Sequence, residues 1–212
     1  MAQPEAAQVQ RAGGCLVGPD GVTRCGWVGA TGQAGRDYRA YHDTEWGRPV
    51  HGEQALLERL CLEAFQSGLS WLTILRKREA FRREFAGFDP DLVAGYTDSD
   101  VADLMQQASI VRNRRKIEAT IANAQATVAL RASGGLDALF WSAQADRARR
   151  ERPAAMSEVP AITPASTALA KELKRVGFAH LGPTTVYAAM QACGVVDDHL
   201  VGCFRAEVAS PS

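Results

Sequence analysis

The chain has 212 residues, 46% of them hydrophobic, which is enough for one domain with a sizeable core or two small ones. Lys plus Arg and Asp plus Glu are equal at 24 each, so overall charge does not select for nucleic acid, and any such contact must rest on a local patch. No apolar run is long enough to span a bilayer, Met1 to Gly14 lacks a signal-peptide core, and five cysteines in that setting fit a reducing compartment, the cytoplasm, with thiols or metal ligands rather than disulfides.

Residues 1–22 are polar, Ala/Gly/Gln-rich and without period, which predicts a disordered extension; Cys15 lies in it with no visible partner. The folded part opens at Arg24-Cys25-Gly26-Trp27-Val28. Gly29 to Gly35 is glycine-rich but lacks phosphate-loop spacing, so it reads as a flexible connection. Tyr38 to Gly47 is dense in aromatic and polar groups, as binding loops are, although packing with a wet polar tip accounts equally for Tyr38, Tyr41 and Trp46.

Glu53 to Leu60 predicts an amphipathic helix. Leu56, Leu57, Leu60, Cys61 and Ala64 form one apolar stripe, with Glu63 at its edge. A carboxylate there is partly desolvated, which raises its pKa or demands a cationic partner. Gly68 suits a helix end, and a helix then runs from Leu69 to Phe85 with Trp71, Ile74, Leu75, Phe81 and Phe85 inward. Asp89-Pro90 starts another, and Thr97 or Asp98 caps a third through Met105.

Arg112, Arg114, Arg115 and Lys116 place four cations in five residues at the start of a helix that runs to Ala132 and ends at Gly134-Gly135. A charge run is usually a solvated face. Here the positive end of the helix dipole disfavours cations, so an external anion is the competing explanation. Leu136 to Trp141 makes a short helix, and 153–164 is a proline-punctuated connection. A helix from Thr163-Pro164 stops at Gly177, a short turn follows, and Thr184 to Cys193 forms the next helix. Such a helix–turn–helix can offer backbone N–H groups, near Gly182 and Thr184, to a phosphate. No convincing strand pair is visible, so the expected class is all-α.

His199 and Cys203 stand four apart, so on a helix they share a face and can grip one ion. Cys25 and His42 would complete a tetrahedral Cys₂His₂ site, closed and therefore structural. The spacing is not that of a standard finger, and buried Cys and His are often merely packed.

Taken in order, Arg24 to Val28, Tyr41-His42-Asp43 with Glu45-Trp46-Gly47, Cys61-Leu62-Glu63, Gly68 to Trp71, Ile110 to Lys116, Met190 to Gly194 and Asp198 to Cys203 resemble the bacterial 3-methyladenine DNA glycosylases I. The likeness runs from about Arg24 to Cys203, nearly the whole expected domain of residues 23–207. The resemblance implies a helix-hairpin-helix glycosylase fold, a damaged base flipped from double-stranded DNA, and hydrolysis of its N-glycosidic bond. It implies one structural zinc on Cys25, His42, His199 and Cys203. It places Glu63, Tyr38, Tyr41, Trp27 and Trp71 around the base, Leu69 as the wedge, and the hairpin at Leu181 to Thr184 as the backbone clamp. A monomer without strand-cleaving activity is expected, since no lysine nucleophile stands in the pocket motifs. Two rivals remain at this stage. One is a non-catalytic damage-binding module on the same scaffold; the other is a zinc hydrolase, which needs an open metal position.

Overall fold

The computed structural model describes residues 9–10, 12–29, 31–144 and 151–208. It is mostly helical: α1 (Gly32–Thr44), α2 (Glu53–Gln66), α3 (Trp71–Glu84), α4 (Pro90–Ala94), α5 (Asp98–Leu104), α6 (Arg114–Leu130), α7 (Gly135–Trp141), α8 (Pro164–Arg175), α9 (Pro183–Ala192) and α10 (Phe204–Val208). No helix among the described residues is long and apolar enough to cross a membrane.

The fold is built on α2. Leu56, Leu57, Leu60, Cys61, Leu62 and Phe65 are all fully buried, because α3, α6, α7 and α9 pack around this one helix. The expected stripe of Leu56, Leu57, Leu60, Cys61 and Ala64 is buried, and Leu62 and Phe65 widen it, while Arg59, paired to Glu45, and Gln66 keep a polar side. Burying each large aliphatic side chain contributes about 1.5–3 kcal/mol. Glu63 stands at the edge of this widened face and is buried there, with 6% of its surface exposed.

Helix boundaries follow local chemistry. Ser70 caps α3 by accepting from the Thr73 amide, and Asp89 caps α4 from the amides of Asp91 and Leu92. Thr97 with Asp100, and Thr163 with Ser166, form reciprocal caps on α5 and α8. Gly68 sits at φ +82° directly after α2, a left-handed conformation that turns the chain at once into α3.

Three expectations fail. A three-stranded antiparallel sheet, β1 (Val9–Gln10), β2 (Cys15–Val17) and β3 (Thr23–Cys25), crosses the segment expected to be disordered. Cys15 pairs with Cys25 in register and is buried; apolar Cys15, Leu16 and Val17 gain a partner strand that a scan for period could not supply. Residues 29–47 are not a loop, because α1 runs through most of them. His199 and Cys203 are not on a helix: the chain from 197 to 203 is irregular and turns through the bond from the Cys203 amide to the Leu200 carbonyl, 2.8 Å.

Candidate functional site

α1 places Tyr38, Tyr41 and His42 within four residues, so one helix serves two neighbouring sites. Tyr38 and Tyr41 line a cavity of about 420 Å³ together with Trp27, Trp46, Glu63 and Trp71. Trp27 meets Tyr38 edge-on at 5.9 Å and Trp46 at 5.1 Å between ring centres, and Tyr41 lies 5.2 Å from Trp71. The five predicted base-contacting residues other than Leu69 are therefore assembled on one cavity.

Glu63 is its only buried acid on α2, and no described side chain hydrogen-bonds to it. Burial pushes its carboxyl up to about 8, against the opposing charge of Arg59 one helical turn earlier. The buried indole N–H groups of Trp27 and Trp71 also have no acceptor among the described residues. Buried polar groups are nearly always satisfied, so unmet donors and a protonated carboxyl around one aromatic cavity suit a flat, polar-edged ligand.

The opposite wall was not foreseen. Tyr187 and Gln191, one turn apart on α9, both donate to Asp198 Oδ2 at 2.6 and 2.7 Å, and all three line the cavity. Thr184 lies on the same face, so the i, i+3, i+7 spacing was the available signal. Met156, Val159, Pro160 and Ala161 supply a further wall from the proline-punctuated connection.

Leu69 lies outside the cavity, on the turn after Gly68, and 42% of it is exposed. Beside it, Ser67 shares a surface depression with His180, Gly182 and Thr184 of the hairpin between α8 and α9. No side chain caps the N-terminus of α9 at Gly182, which leaves first-turn amides for an outside acceptor. Thr184 borders both the depression and the cavity.

The cation cluster divides. Arg112, Arg114 and Arg115 are exposed, with Arg114 loosely paired to Glu118 at 3.5 Å. Lys116 is buried, and its Nζ donates to the carbonyls of Phe65 (2.9 Å) and Ser67 (2.6 Å). It caps the C-terminus of α2 and is not available to a phosphate, which corrects the expectation for this residue.

Behind the cavity, Cys25 Sγ, His42 Nε2, His199 Nδ1 and Cys203 Sγ lie within 4.8 Å of one another, all four residues buried. Cys203 Sγ is 3.4 Å from His42 Nε2 and 3.8 Å from His199 Nδ1, and Cys25 Sγ is 3.8 Å from the latter. Ligand bonds of about 2.0–2.3 Å in a tetrahedron give ligand separations of that size. The Cys203 thiol is held far below its ordinary range by Cys25, and Cys25 is pushed up by Cys203 and by burial; a cation would let both be thiolates. The outer groups are ordered too. His42 Nδ1 meets Asp43 at 2.8 Å, and Arg24 clamps Asp43 and Asp20. Burial raises the Asp43 carboxyl, but the bonds from Arg24 and His42 outweigh it and hold it below the usual range. Gly47 is required here: a Cβ would stand 2.8 Å from His199 Nε2.

The chain superposes on solved structures of 3-methyladenine DNA glycosylases. A crystal structure of 3-methyladenine DNA glycosylase I superposes with a TM-score of 0.80 at 44% identity, covering 85% of this chain and 98% of the other. A Staphylococcus aureus 3-methyladenine DNA glycosylase I, from a study of 3-methyladenine recognition, gives 0.77 at 36% identity over 83% of this chain and 93% of its own. The DNA-3-methyladenine glycosylase 1 of Escherichia coli is 45% identical over 183 residues, 86% of this chain and 96% of that one. The fold is thus that of a glycosylase. The profile of the methyladenine glycosylase family matches residues 31–206, and the chain belongs to this family.

Proposed function

We propose that the protein hydrolyses the N-glycosidic bond of 3-methyladenine in double-stranded DNA, leaving the strand intact, and that it does so as a cytoplasmic monomer. The observation that carries this is the buried Glu63 carboxyl, without a hydrogen-bonding partner, in a cavity walled by Trp27, Tyr38, Tyr41, Trp46 and Trp71. The relatives are named for the same base.

An adenine alkylated at N3 and still joined to deoxyribose is cationic, so its glycosidic bond is already weakened and needs little acid catalysis. Selective capture is the larger task. Aromatic faces attract a cation by about 0.5–2 kcal/mol each. Glu63, neutral in the free cavity at pH 7, ionises against the cationic base and accepts hydrogen bonds from it. The proton leaves to solvent as the cationic base enters; an unmodified adenine offers no charge to pair with the carboxylate, so it gains nothing from this ionisation. Alkylation also lowers the cost of unstacking.

Leu69 is the wedge for the vacated position, and Gly182 and Thr184 hold the backbone beside it. Arg112, Arg114 and Arg115 contact phosphates at longer reach. The cavity lining contains no lysine among the described residues, which supports simple hydrolysis over a covalent lyase route.

Cys25, His42, His199 and Cys203 hold one zinc ion. Four protein ligands leave no open position, so the ion supplies a cross-link between β3, α1 and the C-terminal segment. That argues against a zinc hydrolase. Release of free 3-methyladenine from methylated duplex DNA, resolved by chromatography, tests the function; a protein that binds such DNA but frees no base would be a damage-binding module instead.

A further inference from the structure

The β1–β3 sheet precedes the residues that the family profile matches, and it is not an appendage. Its turn presses on the cavity wall. Gly13 and Gly14 both have positive φ, 79° and 81°. A Cβ on Gly13 would lie 2.1 Å from the Ala154 carbonyl oxygen, and one on Gly14 would lie 3.3 Å from Met156 Cγ. Met156 lines the cavity. On its other side the turn meets the backbone that leads into Trp27, since a Cβ on Gly26 would stand 2.0 Å from the Gly14 carbonyl oxygen. Gly26 directly precedes Trp27. The turn thus rests backbone against backbone on Ala154 and on Gly26, with the Met156 side chain against Gly14, so it adjoins two residues that line the base cavity, Met156 and, through Gly26, Trp27.

The segment so held has little structure of its own. Between Pro153 and Ala161 only a short turn of 3-10 helix, Met156–Glu158, is regular. Within it the amides of Glu158 and Val159 donate to the carbonyls of Ala155 and Met156 and the Ala154 amide to Glu158, and outward the Val201 amide donates to the Pro153 carbonyl, 3.1 Å, while Val159 packs against Cys15, Cys25, Leu200 and Cys203. Met156 itself remains 38% exposed, so its position is not set by core packing. Cys15, next in the strand, is buried and packs beside Gly202, where a Cβ would stand 3.4 Å from its Sγ. The sheet is thereby anchored on the Cys25–Cys203 end of the molecule and reaches forward to the wall.

We propose that the N-terminal turn at Gly13-Gly14 is a positioning element of the base cavity, setting the distance between the Met156 wall and Trp27. The inference rests on the proposed function, because the cavity it tunes is the one assigned to 3-methyladenine.

The full-length protein and three variants, Gly14→Ala, Met156→Ala and the double variant, test it. Binding of free 3-methyladenine is read by tryptophan fluorescence, alongside excision from methylated duplex, affinity for undamaged duplex, and melting. Gly14→Ala is expected to weaken base binding and excision together, by roughly tenfold, as small misplacements at a reacting centre do. Affinity for undamaged duplex should stay unchanged. In the Met156→Ala background the clash is gone and only the strain of a side chain at positive φ remains, which melting reads, so the same substitution should cost base binding and excision less than about twofold, a non-additivity that a merely structural role would not produce. Equal losses in both backgrounds, or no loss in either, overturn the proposal. A measurement on the unaltered protein covers the case in which Gly14→Ala does not fold: 3-methyladenine should slow hydrogen exchange at the amides of 15–17 and 23–25, and unchanged exchange there overturns it equally. If the parent protein itself neither binds nor frees the base, the function fails first and takes this inference with it, an outcome distinct from failure in the variants alone.

Discussion

Replacing Glu63 by Gln should make the protein more stable as the pH rises, the reverse of what removing a charged residue usually does. The Glu63 carboxyl ordinarily titrates near 4.5 and is pushed up to about 8 by burial. Folding therefore favours its protonated form. Below about pH 4.5 both folded and unfolded chains hold the proton, and Glu63 costs nothing through ionisation. Between 4.5 and 8 the unfolded chain gives up the proton while the folded one keeps it, so stability falls as pH increases. The full displacement corresponds to a loss on the order of 4–5 kcal/mol, nearly all of it incurred by about pH 8. Gln has the same shape and no titration. Urea unfolding of parent and Glu63→Gln at pH 5 and pH 8.5 should show the variant gaining about 3–4 kcal/mol on the parent between the two conditions. The same substitution should weaken single-turnover excision of 3-methyladenine by about 10- to 100-fold, or about 1–3 kcal/mol, the scale of a charge-assisted hydrogen bond. It should leave affinity for undamaged duplex unaltered, because that rests on phosphates. Stability curves that run parallel across this range would refute the burial argument. Equal loss in excision and in general DNA binding would make Glu63 a structural residue.

Elemental analysis should find one zinc per chain, and Cys203→Ser should lower the melting temperature before it alters chemistry; unchanged melting with lost activity would contradict a structural metal. Arg114→Ala should weaken binding similarly for all DNA sequences and reduce the salt slope by roughly one unit, and an unchanged slope would return this residue to a solvated face. Lys116→Met should cost about 1–3 kcal/mol of stability, because the buried carbonyl of Phe65 and the partly buried one of Ser67 lose their donor, and should slow excision from duplex more than it weakens binding of the free base. A Lys116→Met protein with both properties reduced alike would mean that the turn carrying Leu69 does not depend on this cap.

The order of helices was legible because its markers are local. Asp89-Pro90, Thr97 and Thr163-Pro164 cap their helices as their chemistry requires, and Gly68, Gly134 and Gly177 turn the chain with positive φ. What was not legible depends on partners distant in sequence. Residues 15–17 become a strand only through pairing with 9–10 and 23–25. Lys116 looked like one more cation of a basic run until the end of α2 came within reach of its Nζ. The burial of Leu62 and Phe65 on α2 was not read, because the width of an apolar face depends on how many helices pack around it. The far wall of the cavity escaped for a similar reason: Tyr187 and Gln191 look like ordinary residues of a hairpin helix until Asp198 folds back onto them.

Asp198 also explains why the cross-link and the cavity belong together. Its carboxylate is fixed by α9, while the next residue, His199, points Nδ1 to the cysteines. The irregular chain from 197 to 203 therefore has two anchors of different chemistry one residue apart. On the other side of the same boundary, α1 sends Tyr41 into the cavity and His42 to the cysteines. Two adjacent pairs, Tyr41-His42 and Asp198-His199, thus stand back to back, each with one member in either site. A metal bound there would draw the two histidines together and, through the backbone, would set the separation of Tyr41 from Asp198, both of which line the cavity. A closed structural ion can govern the shape of a base pocket in this way without touching the base, and the glycine at 47, which no side chain could replace beside His199, shows how little slack that arrangement has.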